Sequence, residues 1–85
     1  MASYKLLIKP SAAKELESLP KKDRRRLVVR IGGLAVEPRP PGCEKLSGHD
    51  LYRVRQGEYR VLYTIQDALL VVVVITIGHR REVYR

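Results

Sequence analysis

The sequence predicts an α+β fold of 85 residues in the order β-α-α-β-β-β, with two N-terminal helices packed on one face of a small antiparallel sheet. Three observations support this prediction. Apolar residues recur at helical spacing in the first half of the chain. The second half consists of short strand-forming runs, and these runs are separated by connections brief enough for antiparallel hairpins. The length predicts one domain that spans residues 1–85.

The N-terminal part is predicted to contain one strand and two helices. Residues 4–8 form the strand, and Pro10 opens the first helix after it. Apolar residues recur at helical spacing until Pro20, whose ring cannot continue a helix interior. The first helix therefore ends before Pro20, and a second helix begins near this residue. The apolar stripe of the second helix is Leu27, Ile31 and Leu34. Gly32 and Gly33 mark either a close packing contact or a weak point in that helix.

Three strands are predicted after a proline-rich linker at residues 37–42. They cover residues 51–55, 58–65 and 69–77, with the connections Gln56-Gly57 and Asp67-Ala68 between them. The last strand lies in an almost wholly apolar run that is far shorter than the roughly 20 residues of a membrane helix. We therefore expect a buried strand there.

The charge of the chain points to a polyanionic partner. Seventeen Lys and Arg against nine Asp and Glu give a formal net charge of +8, a strong field for a small protein. The single cysteine, Cys43, excludes an internal disulfide, and no Cys or His array suggests a metal site. Since the N-terminus also lacks a signal-peptide pattern, a location in the reducing cytoplasm is expected.

The arginines of the first hairpin are predicted to share one face of the sheet. A two-residue turn after Arg55 would place Arg53 opposite Arg60, and alternation puts all three arginines on the face away from the helices. Because a like-charge pair across two strands costs stability, we interpret the cluster as an anion site. Arginine suits phosphate, since its planar fork donates two parallel hydrogen bonds. The alternative is a charged exposed face on which Glu58 offsets part of the repulsion.

The residues after the last strand add cationic and aromatic groups near the end of the sheet. Gly78 is followed by His79-Arg80-Arg81-Glu82-Val83-Tyr84. An aromatic ring beside arginines is a surface on which a splayed-out RNA base can stack. Histidine exchanges protons near neutral pH, so His79 is a candidate acid or base, although a solvated polar residue is the alternative. His49, in a turn, is a weaker candidate.

An ordered set of motifs resembles the RelE/ParE toxin superfamily, and specifically its RelE-like branch. The set is Lys45-Leu46-Ser47-Gly48, Leu51-Tyr52-Arg53-Val54-Arg55, Glu58-Tyr59-Arg60-Val61-Leu62-Tyr63, an apolar strand, and then Gly78 to Tyr84. The resemblance covers nearly the whole chain, which implies a single RelE-like toxin domain. The fold that it implies, a small antiparallel sheet with two N-terminal helices, is the one that the periodicity predicts.

The resemblance to the RelE-like branch also implies a function. The expected protein is the toxin of a type II toxin–antitoxin system that cleaves mRNA in the ribosomal A site and thereby inhibits translation. In this reaction a ribose 2′-hydroxyl attacks the adjacent phosphate, and neither a metal nor a cofactor takes part. The implied partners are the ribosome, its mRNA and a cognate antitoxin protein.

The resemblance further implies the roles of individual residues. The expected catalytic residues are Arg53, Arg55, Arg60, Arg80 and Tyr84, and the expected RNA contacts are Lys45, Arg53, His79 and Arg81. Arg55 and Arg60 would stabilise charge on the phosphate, Arg80 would stabilise or protonate the leaving oxygen, and Tyr84 would stack on a base and orient the 2′-hydroxyl. Arg53 and Arg55 stand where the best-known member has lysines. Because arginine does not give up its proton, the identity of the general base stays open.

Two other functions remain open at this point. A ParE-like inhibitor of DNA gyrase shares the fold but is generally without the basic and tyrosine set. A non-catalytic nucleic-acid-binding module would use the same basic face for phosphate contacts, with binding that falls steeply as salt rises.

Overall fold

The computed structural model describes residues 3–46, 48 and 50–79, and in these residues the predicted α+β fold is confirmed. The elements are β1 (Lys5–Ile8), α1 (Pro10–Glu17), α2 (Lys21–Gly33), β2 (Glu44–Lys45), β3 (Tyr52–Gln56), β4 (Tyr59–Gln66) and β5 (Val71–His79). A 3₁₀ turn at Asp67–Leu69 joins β4 to β5. The short strand β2 lies in a stretch for which only a linker and a turn were predicted.

The strands form a single mixed sheet in the order β1-β5-β4-β3-β2. The last three strands form the predicted antiparallel meander, and β2 adds to it at one edge. At the other edge β1 runs parallel to β5, with Lys5 opposite Val71, so the sheet is not antiparallel throughout. A parallel pair needs a long connection between its strands, and here the two helices and the meander supply it.

Proline sets the start of both helices. Pro10 is the first residue of α1, where a missing N–H costs nothing because that group has no partner inside the helix. Pro20 immediately precedes α2. Gly32 and Gly33 end α2, and a methyl group added at either would meet no atom of a packing partner within 4 Å. Of the two roles predicted for these glycines, close packing is therefore wrong.

The core lies between the helices and one face of the sheet. Its fully buried members are Ala12, Leu27, Ile31 and Leu34 from the helical part, and Val54, Val61, Tyr63, Val72, Val74 and Ile77 from the strands. Burying an aliphatic side chain of this size contributes about 1.5–3 kcal/mol. Because the helices pack on this face, the strand residues that alternate with the core residues point to the other side of the sheet.

In the part of the chain that the structure describes, no helix is long and apolar enough to cross a membrane.

Candidate functional site

Three arginines meet on the sheet face that is turned away from the helices. We call Arg53, Arg55 and Arg60 the arginine cluster. Arg53 and Arg55 lie on β3, two residues apart, and Arg60 lies on β4 directly opposite Arg55. The prediction that these three side chains share a face is therefore consistent with the register of the hairpin.

The pairing within this hairpin differs from the predicted one. Gln56 pairs with Tyr59, so the turn consists of Gly57 and Glu58, and Arg60 faces Arg55, not Arg53. Gly57 has a φ of 62°, which glycine adopts without the clash that a Cβ would cause. The turn therefore starts one residue later than predicted, and each pairing partner moves by two residues. A shift of two residues leaves every side chain on its predicted face.

The cluster combines one buried arginine with more accessible ones. Arg60 is 1% exposed, the side chain of Arg53 is 19% exposed, and Arg55 is exposed. On β5 the residue opposite Arg60 is Gly78. A positive charge held in place by the fold needs no reorganisation when an anion arrives, whereas Arg55 is free to adjust to it.

A carboxylate that the sequence analysis did not single out completes the site. Glu44 on β2 pairs with Arg53, whose Nη2 and Nε donate to Glu44 Oε1 over 2.6 Å and 3.2 Å. These bonds and the charge of Arg53 hold the pKa of Glu44 below its usual value, and the charges of Arg55 and Arg60 act in the same direction. Glu44 therefore lies in the field of the whole cluster and is ionised at neutral pH.

The available sequence signal for Glu44 was weak. It is an acidic residue in a strongly basic chain, between the linker and the first motif of the hairpin, and its strand is only two residues long. No local pattern of that length predicts a strand.

Two of the predicted RNA contacts lie on the helix side of the sheet. Lys45 pairs with Tyr52, and its ammonium group lies 6.0 Å from the centroid of the Tyr52 ring. His79 pairs with Tyr59, and the two rings meet edge-on with centroids 5.5 Å apart. The structure thus does not bring Lys45 and His79 into the arginine cluster.

The other predicted site residues lie outside the described residues. These are Arg80, Arg81, Tyr84 and His49. Of the five positions expected to be catalytic, the structure therefore locates the three arginines of the cluster and brings them together.

A second polar group of side chains fastens the linker to the sheet. Arg39 donates to Asp67 over 2.9 Å and 3.2 Å, and the Tyr4 hydroxyl donates to the same carboxylate over 2.7 Å. The Arg39 guanidinium also lies 5.1 Å from the centroid of the Tyr52 ring. The Arg39 and Tyr4 hydrogen bonds lower the pKa of Asp67 to about 2. Because Asp67 and Arg39 already satisfy each other, we interpret this group as structural.

The arginine cluster suits a phosphodiester. Guanidinium groups bind phosphate oxygens through charge-assisted hydrogen bonds, and fixed ones stabilise the extra negative charge that builds on phosphorus oxygens during displacement. An anion bound here would compete with Glu44 for the hydrogen bonds that Arg53 donates.

Residues 6–84 match the family described as the ParE toxin of type II toxin–antitoxin systems, parDE. The toxin RelG of Mycobacterium tuberculosis is 31% identical over 96% of this chain and 97% of its own length.

Two solved structures show the same fold. RelE from the archaeal RelE–RelB complex of Pyrococcus horikoshii is 34% identical, with a TM-score of 0.83 over 92% of this chain and 96% of that one. The isolated RelE toxin of Escherichia coli is 32% identical, with a TM-score of 0.80 over 96% of this chain and 92% of that one.

Proposed function

Because this chain belongs to the RelE/ParE superfamily of toxins from type II toxin–antitoxin systems, we propose that it is a ribosome-dependent mRNA endoribonuclease that inhibits translation. The proposal places cleavage in the ribosomal A site, as expected for the RelE-like branch. It treats residues 1–85 as one RelE-like toxin domain that acts in the cytoplasm, where mRNA is translated.

The observation that supports this proposal most is the arginine cluster. Arg55 and Arg60 are direct cross-strand neighbours of like charge, an arrangement that costs stability. Arg60 is almost fully buried, so the fold fixes the position of its charge. A protein that only needed a soluble surface would gain nothing from either feature. Closely spaced, fixed positive charges are useful where a protein must bind a phosphodiester and stabilise the negative charge of its transition state.

In the proposed mechanism the 2′-hydroxyl attacks the adjacent phosphorus in line with the leaving 5′ oxygen. Arg60 and Arg55 stabilise the negative charge on the non-bridging oxygens, and Arg53 helps to hold the phosphate. The roles of Arg80 and Tyr84 come from the family resemblance: Arg80 stabilises or protonates the leaving oxygen, and Tyr84 stacks on a base and orients the 2′-hydroxyl. The guanidinium groups supply the positive charge, so the scheme uses no metal ion and no cofactor.

We further propose a cognate antitoxin protein as a partner. The Pyrococcus horikoshii RelE was solved with RelB, which supports a partner of this kind for a similar toxin. With a net charge of +8, this chain would attract an acidic or amphipathic segment. Such a segment would neutralise the toxin by covering the arginine cluster or by acting on the C-terminal residues.

The function is tested by adding the purified protein to ribosomes programmed with a defined mRNA and mapping the cut ends. We expect cuts in the A-site codon, a loss of cutting in Arg60→Ala and Tyr84→Phe proteins, and little cutting of the same mRNA without ribosomes. Arg25→Ala, at an exposed position of α2, lowers the net charge as Arg60→Ala does and is the matched control for that variant. Wild-type rates in both site variants, or no cutting by the wild-type protein, would contradict the proposal.

A second candidate is kept because the matching family is described as the ParE toxin. A gyrase inhibitor would block DNA supercoiling and leave mRNA intact, so a supercoiling assay is run in parallel. A non-catalytic nucleic-acid module would bind mRNA with a steep salt dependence and produce no cut ends.

A further inference from the structure

We propose that Glu44 is the general base that takes the proton from the attacking 2′-hydroxyl. This inference rests on the proposed ribonuclease function and deepens it, since it supplies the proton acceptor that an arginine cluster lacks. Arginine stays protonated in proteins, so none of the three guanidinium groups can accept that proton. A carboxylate can, provided that it is ionised and within reach of the phosphate.

The position of Glu44 meets the requirement of reach. Strand β2 lies beside β3, and the register pairs Glu44 with Arg53 on the face of the arginine cluster. Glu44 Oε1 is 2.6 Å from Arg53 Nη2, which is hydrogen-bond contact with a group that would bind the phosphate. A phosphate held by the cluster would therefore lie next to the carboxylate, and the proposal requires the adjacent ribose to present its 2′-hydroxyl on that side.

A general base must also be ionised and accessible to the substrate, and Glu44 is both. The Glu44 side chain is 55% exposed, so a substrate can approach it from solvent. Arg53 is hydrogen-bonded to it, and the charges of Arg53 and Arg55 on β3 and of Arg60 on β4 all favour the ionised form. A bound phosphodiester would accept hydrogen bonds from these guanidinium groups and partly neutralise their charge. Their interaction with Glu44 would then be weaker. The carboxylate then binds a proton more readily, at the moment when the reaction needs a base.

The step is balanced in atoms and charge. The 2′-hydroxyl loses its proton to Glu44 as its oxygen bonds to phosphorus, and the bond from phosphorus to the 5′ oxygen breaks. The products are a 2′,3′-cyclic phosphate and a 5′-hydroxyl, whose oxygen takes a proton from solvent as it leaves. Glu44 then releases its proton to solvent, and no oxidant or reductant is involved.

The experiment is single-turnover cleavage on programmed ribosomes across the pH range in which the protein stays folded. We expect Glu44→Gln to lower the cleavage rate by about 10²–10⁴-fold, the usual contribution of general base catalysis. Glu44→Thr, which removes the carboxylate and retains a strand-forming residue, should lose the same factor. The wild-type rate should rise with pH until the carboxylate is ionised in the complex, and this rise should be absent in both variants.

Binding is measured separately with an mRNA that carries a 2′-O-methyl group at the cut site and cannot react. Removing a negative charge beside a phosphate should leave binding unchanged or make it tighter. Glu37→Gln, at an exposed position after α2, is the matched control and should cut at the wild-type rate. Circular dichroism checks that each variant is folded.

The outcomes separate the two proposals. If the wild-type protein cuts and Glu44→Gln cuts equally fast or faster, Glu44 is only a competitor of the phosphate and the inference is wrong. If binding falls as much as cleavage and the pH profile is unchanged, Glu44 only positions Arg53, which also overturns it. If the wild-type protein does not cut at all, the ribonuclease function fails, and the role of Glu44 fails with it.

Discussion

Arg55 and Arg60 lie directly opposite each other on neighbouring strands, one exposed and the other only 1% exposed. Two like charges in this arrangement repel, and the repulsion is weakened less by solvent because one of them is buried. A pair of this kind reduces stability, so it is the type of local conflict that is found where function takes precedence over stability.

Neutralising Arg55, the exposed member of this pair, should change the free energy of unfolding and the cleavage rate in different ways. We expect Arg55→Gln to leave the free energy of unfolding unchanged or to raise it by about 0.2–1 kcal/mol, because cross-strand repulsion is removed. Cleavage on programmed ribosomes should fall by about 10²-fold, as after loss of one transition-state donor. Urea unfolding and single-turnover kinetics measure the two effects. Arg25→Gln, which makes the same charge change on α2, should alter neither.

Retaining the charge of the buried arginine should not be enough for activity. We expect Arg60→Lys to fold, since both side chains have a long aliphatic stem, but to cut mRNA about 10²-fold more slowly. Lysine lacks the planar fork that places two donors on phosphate oxygens. The melting temperature and the cleavage rate are measured together. A lysine variant that cuts like the wild type would show that charge alone matters at this position.

The Asp67 carboxylate should make stability depend on acid pH. Its pKa of about 2, against an ordinary value of 3.8, shows that the folded state favours the ionised form through Arg39 and Tyr4. The contribution of Asp67 to the free energy of unfolding is therefore fully present above about pH 4 and is lost as the pH falls toward about 2. We expect urea unfolding to show a smaller loss of stability over this interval in Asp67→Asn than in the wild type.

Asp50→Asn is the control for that measurement, since the Asp50 side chain is fully exposed and 4.0 Å from Lys45. It should lose stability with falling pH as the wild type does. Equal acid sensitivity in Asp67→Asn and the wild type would mean that Asp67 makes no such contribution.

The phenol of Tyr63 should contribute to stability but not to cleavage. Its hydroxyl donates to the carbonyl of Pro38 over 2.6 Å inside the protein, and burial raises the pKa of this phenol above its usual value. We expect Tyr63→Phe to lower the free energy of unfolding by about 1–2 kcal/mol, because a buried carbonyl loses its donor. The cleavage rate per folded molecule should stay at the wild-type value. A selective loss of cleavage would instead place the linker in the active site.

Much of the candidate site was predictable because it depends on alternation within single strands. The turn was placed one residue too early, which paired Arg60 with Arg53 instead of Arg55. The faces were nevertheless assigned correctly, since the error moved each partner by two residues and period-two alternation is insensitive to that shift. What the wrong register missed was the identity of the like-charge pair.

Other features were out of reach of any local pattern. The parallel pairing of β1 with β5 joins residues more than sixty positions apart, as in Lys5 opposite Val71. The strand that carries Glu44 has two residues and is defined by its pairing with β3. The positions of Lys45 and His79 on the helix side likewise follow from their partners Tyr52 and Tyr59.

The sequence by itself determined the fold class and the set of arginines that share a face, because helical spacing and strand alternation are properties of neighbouring residues. Only the tertiary structure decided that Arg60 is buried while Arg55 is exposed, and that the Glu44 carboxylate forms an ion pair with Arg53. Burial and strand neighbours depend on segments that are distant in the chain and meet only when the core excludes water.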